Sequence, residues 1–236
     1  LWEPQNLFSY TAQTRCVTLT GYSGKATDLV LPTYLDGMPV TTIGMDAFSD
    51  LSSLESVVLP RRLEVIENSA FGYCANLNHV VFPPSLRRID YYAFYRCNLT
   101  SVSLPDSVTS LGYNVFEENR NLVKVSIGSG LTYLDSTVFS GCSALETLEI
   151  SAAGSIAGFS GYPALRTVVL GGGVRAILSG AFQNCPALED VYCSSNVESI
   201  ADDAFDAGSR VTIHGADGSI AARYANQHSV RFLEYP

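Results

Sequence analysis

The sequence predicts an α/β repeat solenoid, a right-handed stack of parallel β-sheet and irregular turns. About eight units of roughly 23 residues make up the stack, and a short C-terminal helix closes it. Three observations predict it. Phe48, Phe71, Phe94, Phe116, Phe139, Phe159, Phe182 and Phe205 recur at intervals of 23, 23, 22, 23, 20, 23 and 23 residues. A leucine follows most of them by six residues, at 54, 77, 122, 145, 165 and 188, and Leu99 follows its Phe by five. A short alternating apolar run then begins, as in Val57-Val58-Leu59 or Val168-Val169-Leu170.

Each element follows from this pattern. Period-two alternation rich in β-branched residues is the mark of a strand. It gives strands through Val57, Val80, Val102, Val125, Leu148, Val168, Val191 and, in a last copy without its leucine, Val211. A second apolar position, at Ile66, Ile89, Leu111, Leu134, Ile177 and Ile200, predicts a shorter irregular strand, which leads into the next Phe through a turn. A unit this small cannot bury its own apolar face, whereas stacked copies bury a continuous column. Cys74, Cys97, Cys142 and Cys185 each stand three residues after the repeat Phe, where Asn119 interrupts them. They read as small buried hydrophobes with a weak donor. A Cys74–Cys97 disulfide is the alternative, although side chains stacked in one direction make bridge geometry awkward. The predicted organisation is one continuous domain, with cap strands in 1–42, repeats in 43–214 and a helix-strand cap in 215–236. Ser219 is the expected N-cap of a helix from Ile220 to about Gln227, with a strand Val230–Glu234 after it. Residues 151–161, rich in Ser, Ala and Gly, form a shortened unit expected to kink or thin the stack, or to leave a binding notch. Residues 1–10 match no part of the pattern.

The unit L-x-x-V-x-L-P-x-x-(V/L)-x-x-I-x-x-x-A-F-x-x-C-x-x-L resembles the BspA-like, treponemal-type class of leucine-rich repeats. Val17–Gly24, Leu29–Pro32 and Asp36–Gly44 are similar to that family's N-terminal segment, and Gly218–Ala225 with Val230–Leu233 to its C-terminal one. The strand-ending Pro of the pattern is present at 32, 60, 83 and 105, but Gly128, Ser151, Gly171 and Ser194 replace it later. The resemblance implies a bacterial cell-surface or extracellular protein with an adhesion-type or protein-binding role. It supplies no catalytic residues.

Composition points the same way. Hydrophobic residues are 47% and charged residues 16%, enough apolar material for a large core. A formal charge of −9 disfavours nucleic acid as a partner. No apolar run is long enough to span a membrane. Leu1–Gln5 do not form a signal peptide and the chain has no initiator Met, so a trimmed fragment is expected. His79 and His214 are six rungs apart, roughly 29 Å at the strand spacing, too far to share a metal or a triad. Asp202-Asp203 and Asp217-Gly218 read as solvated or capping acids rather than calcium ligands, and the sequon at Asn98 places its Leu99 in the core. The expectation is therefore no catalytic residue, no metal and no cofactor.

What is left is a surface. The outward pairs on the main strands are Ser56/Val58, His79/Val81, Ser101/Ser103, Lys124/Ser126, Thr147/Glu149, Thr167/Val169, Asp190/Tyr192 and Arg210/Thr212. Lys124, Glu149, Asp190 and Tyr192 are the candidate contact patch for a protein or other extracellular macromolecule bound by a monomer. A spacer that presents another domain is the alternative reading. A solenoid carbohydrate-active enzyme is the third, and it is opposed by the uncharged Thr167/Val169 rung between Glu149 and Asp190.

Overall fold

In the computed structural model, which describes residues 4–152 and 154–235, the chain is a parallel β-solenoid. Strands form in all eight predicted units: Ser56–Val58, His79–Val81, Ser101–Leu104, Lys124–Ile127, Thr147–Ile150, Thr167–Leu170, Asp190–Cys193 and Thr212–Gly215. Asp28–Val30 adds a rung before them and Arg231–Glu234 one after. The pairing is parallel throughout this sheet, with Val125 beside Val102, Leu148, and so on along the inner column.

The main sheet is interrupted once, between His79–Val81 and Ser101–Leu104. There the chain is one residue short between Phe94 and Leu99. Phe82 also replaces the leucine found at 59 and 104, and its ring meets Phe94 and Phe116 edge-on. Asn98 N–H to Leu77 O (3.0 Å) and Thr100 N–H to Asn78 O (3.3 Å) bridge the break.

The shorter strands form a second sheet, again in two pieces. One runs through Val17–Tyr22, Met38–Ile43, Val65–Ile66, Arg88–Ile89 and Ser110–Leu111, and the other through Gly154–Ile156, Val174–Ile177 and Ser199–Ile200. Leu134, expected to continue it, packs half-buried against the core outside any strand. That segment falls at the gap between the two pieces, just before the shortened unit. The 20-residue spacing of Phe139 and Phe159 keeps the main sheet in register, as Glu149 beside Val169 shows.

The core is the predicted column. All eight repeat Phe side chains are buried. Their rings stack at 5.2, 5.2, 5.5 and 5.4 Å from Phe48 to Phe139, and at 6.1 and 5.6 Å from Phe159 to Phe205. Burying each contributes about 1.5–3 kcal/mol. The cysteine column carries a function beyond filling space, because each Phe carbonyl needs a donor once buried. Cys74, Cys97, Cys142 and Cys185 donate S–H to the carbonyls of Phe48, Phe71, Phe116 and Phe159 at 3.0–3.3 Å. Asn119 does more: Nδ2 donates to Phe94 O and Phe116 O, and Oδ1 accepts from Leu99 N–H. At the shortened unit Tyr162 donates its hydroxyl to Phe139 O at 3.0 Å. All six cysteines are free thiols, so the disulfide alternative does not hold.

A third ladder, absent from the sequence reading, runs along the Phe turns. At five of the eight Phe the residues two before and two after adopt left-handed backbone: Asp46 and Asp50, Ser69 and Tyr73, Tyr92 and Arg96, Asn114 and Glu118, then Gly180 and Asn184; at Phe139 and Phe159 only the following Gly141 and Gly161 do. Interleaved with the Phe, they aim alternate amides along the stack. Ser69, Phe71 and Tyr73 N–H donate to Tyr91, Ala93 and Tyr95 carbonyls at 2.8–3.0 Å.

Both ends are covered. Phe8–Ala12, in a stretch that matched nothing in the sequence pattern, pairs antiparallel with Val17–Tyr22, and Phe8, Tyr22 and Phe48 continue the ring column outward. At the other end Ser219 Oγ caps helix Ile220–Gln227 by accepting from Ala222 N–H. Its buried face is Ala221, Tyr224 and Ala225, while Ile220 is half-buried. The Tyr224 ring packs edge-on against Phe205.

Candidate binding surface

Two outward rows run along the continuous part of the main sheet. One reads Lys124, Thr147, Thr167, Asp190, Thr212 and Arg231; the other reads Ser126, Glu149, Val169, Tyr192, His214 and Leu233. The four candidate residues separate into two pairs. Lys124 Nζ and Glu149 Oε1 meet at 2.6 Å across neighbouring strands, with 52% and 36% of their side chains exposed. An exposed pair of this kind contributes about 0–1 kcal/mol. Each charge is already half answered by the other.

Asp190 and Tyr192 belong to a different group. Asp190 Oδ1 lies 2.7 Å from His214 Nε2. The Tyr192 ring stacks on the His214 imidazole at 4.1 Å and 13°, and Tyr235 meets Tyr192 edge-on at 5.3 Å. This required a change of register from the sequence reading. Thr212 and His214, rather than Arg210 and Thr212, stand beside Asp190 and Tyr192. Val211 fills the leucine slot, 23 residues after Leu188, and Ile213 is the inner strand residue. The last copy therefore kept its apolar position and lost one residue between that position and its strand. Glu149 and Asp190 remain two rungs apart across Thr167/Val169.

Beside Tyr192 the sheet opens into a groove of about 380 Å³, with Val169, Leu170, Gly171, Cys193 and Tyr235 among its walls. A second hollow of about 520 Å³ marks the shortened unit, where Ser136, Ser140, Gly158, Ser160 and Tyr162 face one another. Gly158, Ser160 and Gly161 bring the shortened stretch into this hollow; Ala153, within the same stretch, lies outside the described residues. At the N-terminal end Asp28, Ser56 and His79 occupy successive rungs. Ser56 donates its hydroxyl to Asp28, so its proton is not directed at the imidazole as nucleophilic catalysis would need.

Sequence reasoning missed His214, Tyr235 and a cluster of tyrosines on the Phe turns. Tyr73, Tyr91, Tyr92, Tyr95 and Tyr113 fall on three consecutive rungs, exposed or half-buried. The available clue was their density: five of 13 tyrosines lie between residues 73 and 113.

The stacked strands, the leucine and phenylalanine columns and the capped ends define a leucine-rich-repeat solenoid. More narrowly, the chain belongs to the BspA-type leucine-rich repeat family, whose sequence profile matches residues 41–158 and 154–215 in six copies. Among solved structures, a T. pallidum leucine-rich repeat protein is similar over 99% of this chain and 98% of its own, with 24% identity and a TM-score of 0.60, a likeness of fold. A leucine-rich repeat protein from Bacteroides capillosus covers 52% of this chain and 95% of its own, at 26% identity and TM-score 0.47. A leucine-rich cell-surface protein from Faecalibacterium prausnitzii covers 100% and 94%, at 18% identity and TM-score 0.32. No curated protein sequence matches the chain. Among the described residues no helix is long and apolar enough to cross a membrane.

Proposed function

We propose that this chain is a non-catalytic binding module of an extracellular or cell-surface protein, acting as a monomer. It engages a protein or other extracellular macromolecule through the outward rows of the main sheet. The observation that carries this reading is the Asp190–His214–Tyr192–Tyr235 group beside an apolar groove on an uninterrupted seven-strand sheet. Aromatic anchors next to a part-buried polar pair are the kind of feature from which macromolecular contacts draw most of their energy. Lys124 and Glu149 form the flank of the same surface. Membership of a repeat family that presents stacked strands supports the reading, since such surfaces commonly bind.

The test is a screen of the whole chain against immobilised extracellular-matrix proteins. The best binder is then measured against Tyr192→Ser with Asp190→Asn, and separately against Lys124→Met with Glu149→Gln. We expect a loss of at least about tenfold in the first variant, as for an anchor residue, and a smaller change in the second. Unchanged affinity in both variants would remove the main sheet from the binding surface.

A further inference from the structure

We propose that the Phe-turn ridge carries a second binding site, a tyrosine cage that takes a cationic side chain, lysine or arginine, of a protein partner. The site is on a different edge of the solenoid from the main sheet, so its fate and that of the main-sheet reading are independent. Tyr73, Tyr92 and Tyr95, with Ser69, Gly72 and Glu117, line a groove of about 440 Å³, within the range of about 300–1,000 Å³ typical of ligand sites. The Tyr95 ring meets Tyr73 at 5.2 Å and 89°, and Tyr92 at 5.3 Å and 77°. Rings set at right angles make the walls of a box instead of a flat platform, and this geometry suits a compact cation better than a sugar ring.

Charge points to the same occupant. Glu117 brings a carboxylate into the groove, and its Oε2 accepts from Asn114 Nδ2 at 2.7 Å, which holds it in place. Arg96 already lies over the Tyr95 ring at 5.1 Å, an internal cation–π contact that shows the ring takes a guanidinium and with which an incoming cation competes. The chain as a whole is acidic, which draws a cationic partner from a distance.

The backbone supplies an independent observation. Tyr73 and Tyr92 sit at left-handed corners, with φ of 62° and 58°, and are 47% and 43% exposed. Bulky residues avoid that region, and the equivalent corners at 141, 161 and 180 carry glycine. A large ring at such a corner, still nearly half exposed, buries little beyond its edge-on contact with Tyr95. Strain of this kind collects where a side chain must be presented.

The experiment is an NMR titration of the whole chain, observing tyrosine ring resonances, with the N-acetyl amides of arginine, lysine, citrulline and Nε-acetyl-lysine, and with choline. We expect saturable shifts of Tyr73, Tyr92 and Tyr95 with the arginine or lysine compound, on the order of tens of millimolar, and none with the two neutral analogues. Glu117→Gln keeps the bond to Asn114 and should weaken binding about tenfold. Tyr92→Asn, which tolerates the left-handed corner, should abolish it. Arg96→Asn removes the repelling resident cation and should tighten binding severalfold, a gain that misfolding cannot imitate. Equal shifts from the neutral analogues, no saturation with either cation, or no response to Glu117→Gln and Arg96→Asn would overturn the cage. Choline binding tighter than both side-chain analogues would overturn the protein partner in favour of a free quaternary ammonium.

Discussion

The stack from Phe48 to Phe139 and the stack from Phe159 to Phe205 are built from one unit and solve its problems differently. In the first, rings stack at 5.2–5.5 Å and the carbonyls of Phe48, Phe71 and Phe116 meet a cysteine thiol one rung on, with Asn119 serving Phe94 as well. In the second, spacing loosens to 5.6–6.1 Å, and Tyr162 replaces the thiol at the joint. The corners differ as well. The first stack keeps Asp, Tyr, Arg and Glu at left-handed φ, whereas glycine stands at 141, 161 and 180 around and beyond the joint. A repeat can therefore lose three residues at one turn and retain its main sheet, provided some donor still reaches the Phe carbonyl. Side chains at the corners are a local choice made against backbone preference, and they concentrate where the tyrosines cluster.

The largest expected effect tests the ring column. Phe94→Ala, with neighbours stacked on both sides, should cost about 3–5 kcal/mol in denaturant unfolding, and Phe159→Ala, beside the joint, should fall at or below the lower end. Equal losses would erase the distinction between the two stacks. Next comes the donor column. Asn119→Ala leaves Leu99 N–H and Phe94 O without their partner and should cost about 1–3 kcal/mol, while Asn119→Cys should recover part of that loss because a thiol can reach one carbonyl only. Full recovery by cysteine would show that the amide contributes nothing extra.

The thiols give a pH test. Burial pushes Cys74, Cys142 and Cys193 up to about 12 from an ordinary 9.0. The unfolded chain then loses these protons first. The stabilising contribution is complete below about pH 9 and is lost as pH climbs towards 12. Thermal midpoints should fall over that window, with a flatter decline in Cys142→Ser. At pH 8 iodoacetamide should label half-buried Cys16 and spare the other five thiols in the native protein. Labelling of Cys142 as fast as Cys16 would mean that the column opens locally. The smallest effect is at the corners: Asp50→Gly, at φ 57° in the regular stack, should be neutral or stabilise by up to about 1 kcal/mol, and Asp50→Val should destabilise.

Much of the fold was legible because the information is local and repeated. Eight copies of a Phe and six leucines at constant offset leave one stacking solution, and Ser219 before Ile220 announces its own cap. The candidate surface was half legible. Alternation alone put Lys124, Glu149, Asp190 and Tyr192 on one face. It could not say that Lys124 pairs with Glu149, or that His214 stands beside Tyr192, because Val211 fills the leucine slot and a residue is missing before Thr212, which makes Ile213 and not Val211 the inner strand residue.

By itself, then, the sequence determined the period, the buried columns and the outward rows, since each depends on spacing within one chain segment. The tertiary structure decided the breaks at Leu99 and Leu134, the final register, the carbonyl-capping role of the cysteines and Asn119, and the meeting of Tyr73, Tyr92, Tyr95 and Glu117. Each of these depends on which atoms of one rung face the next. That relation is set by stacking distance and backbone direction across more than 20 residues, and no local pattern carries it.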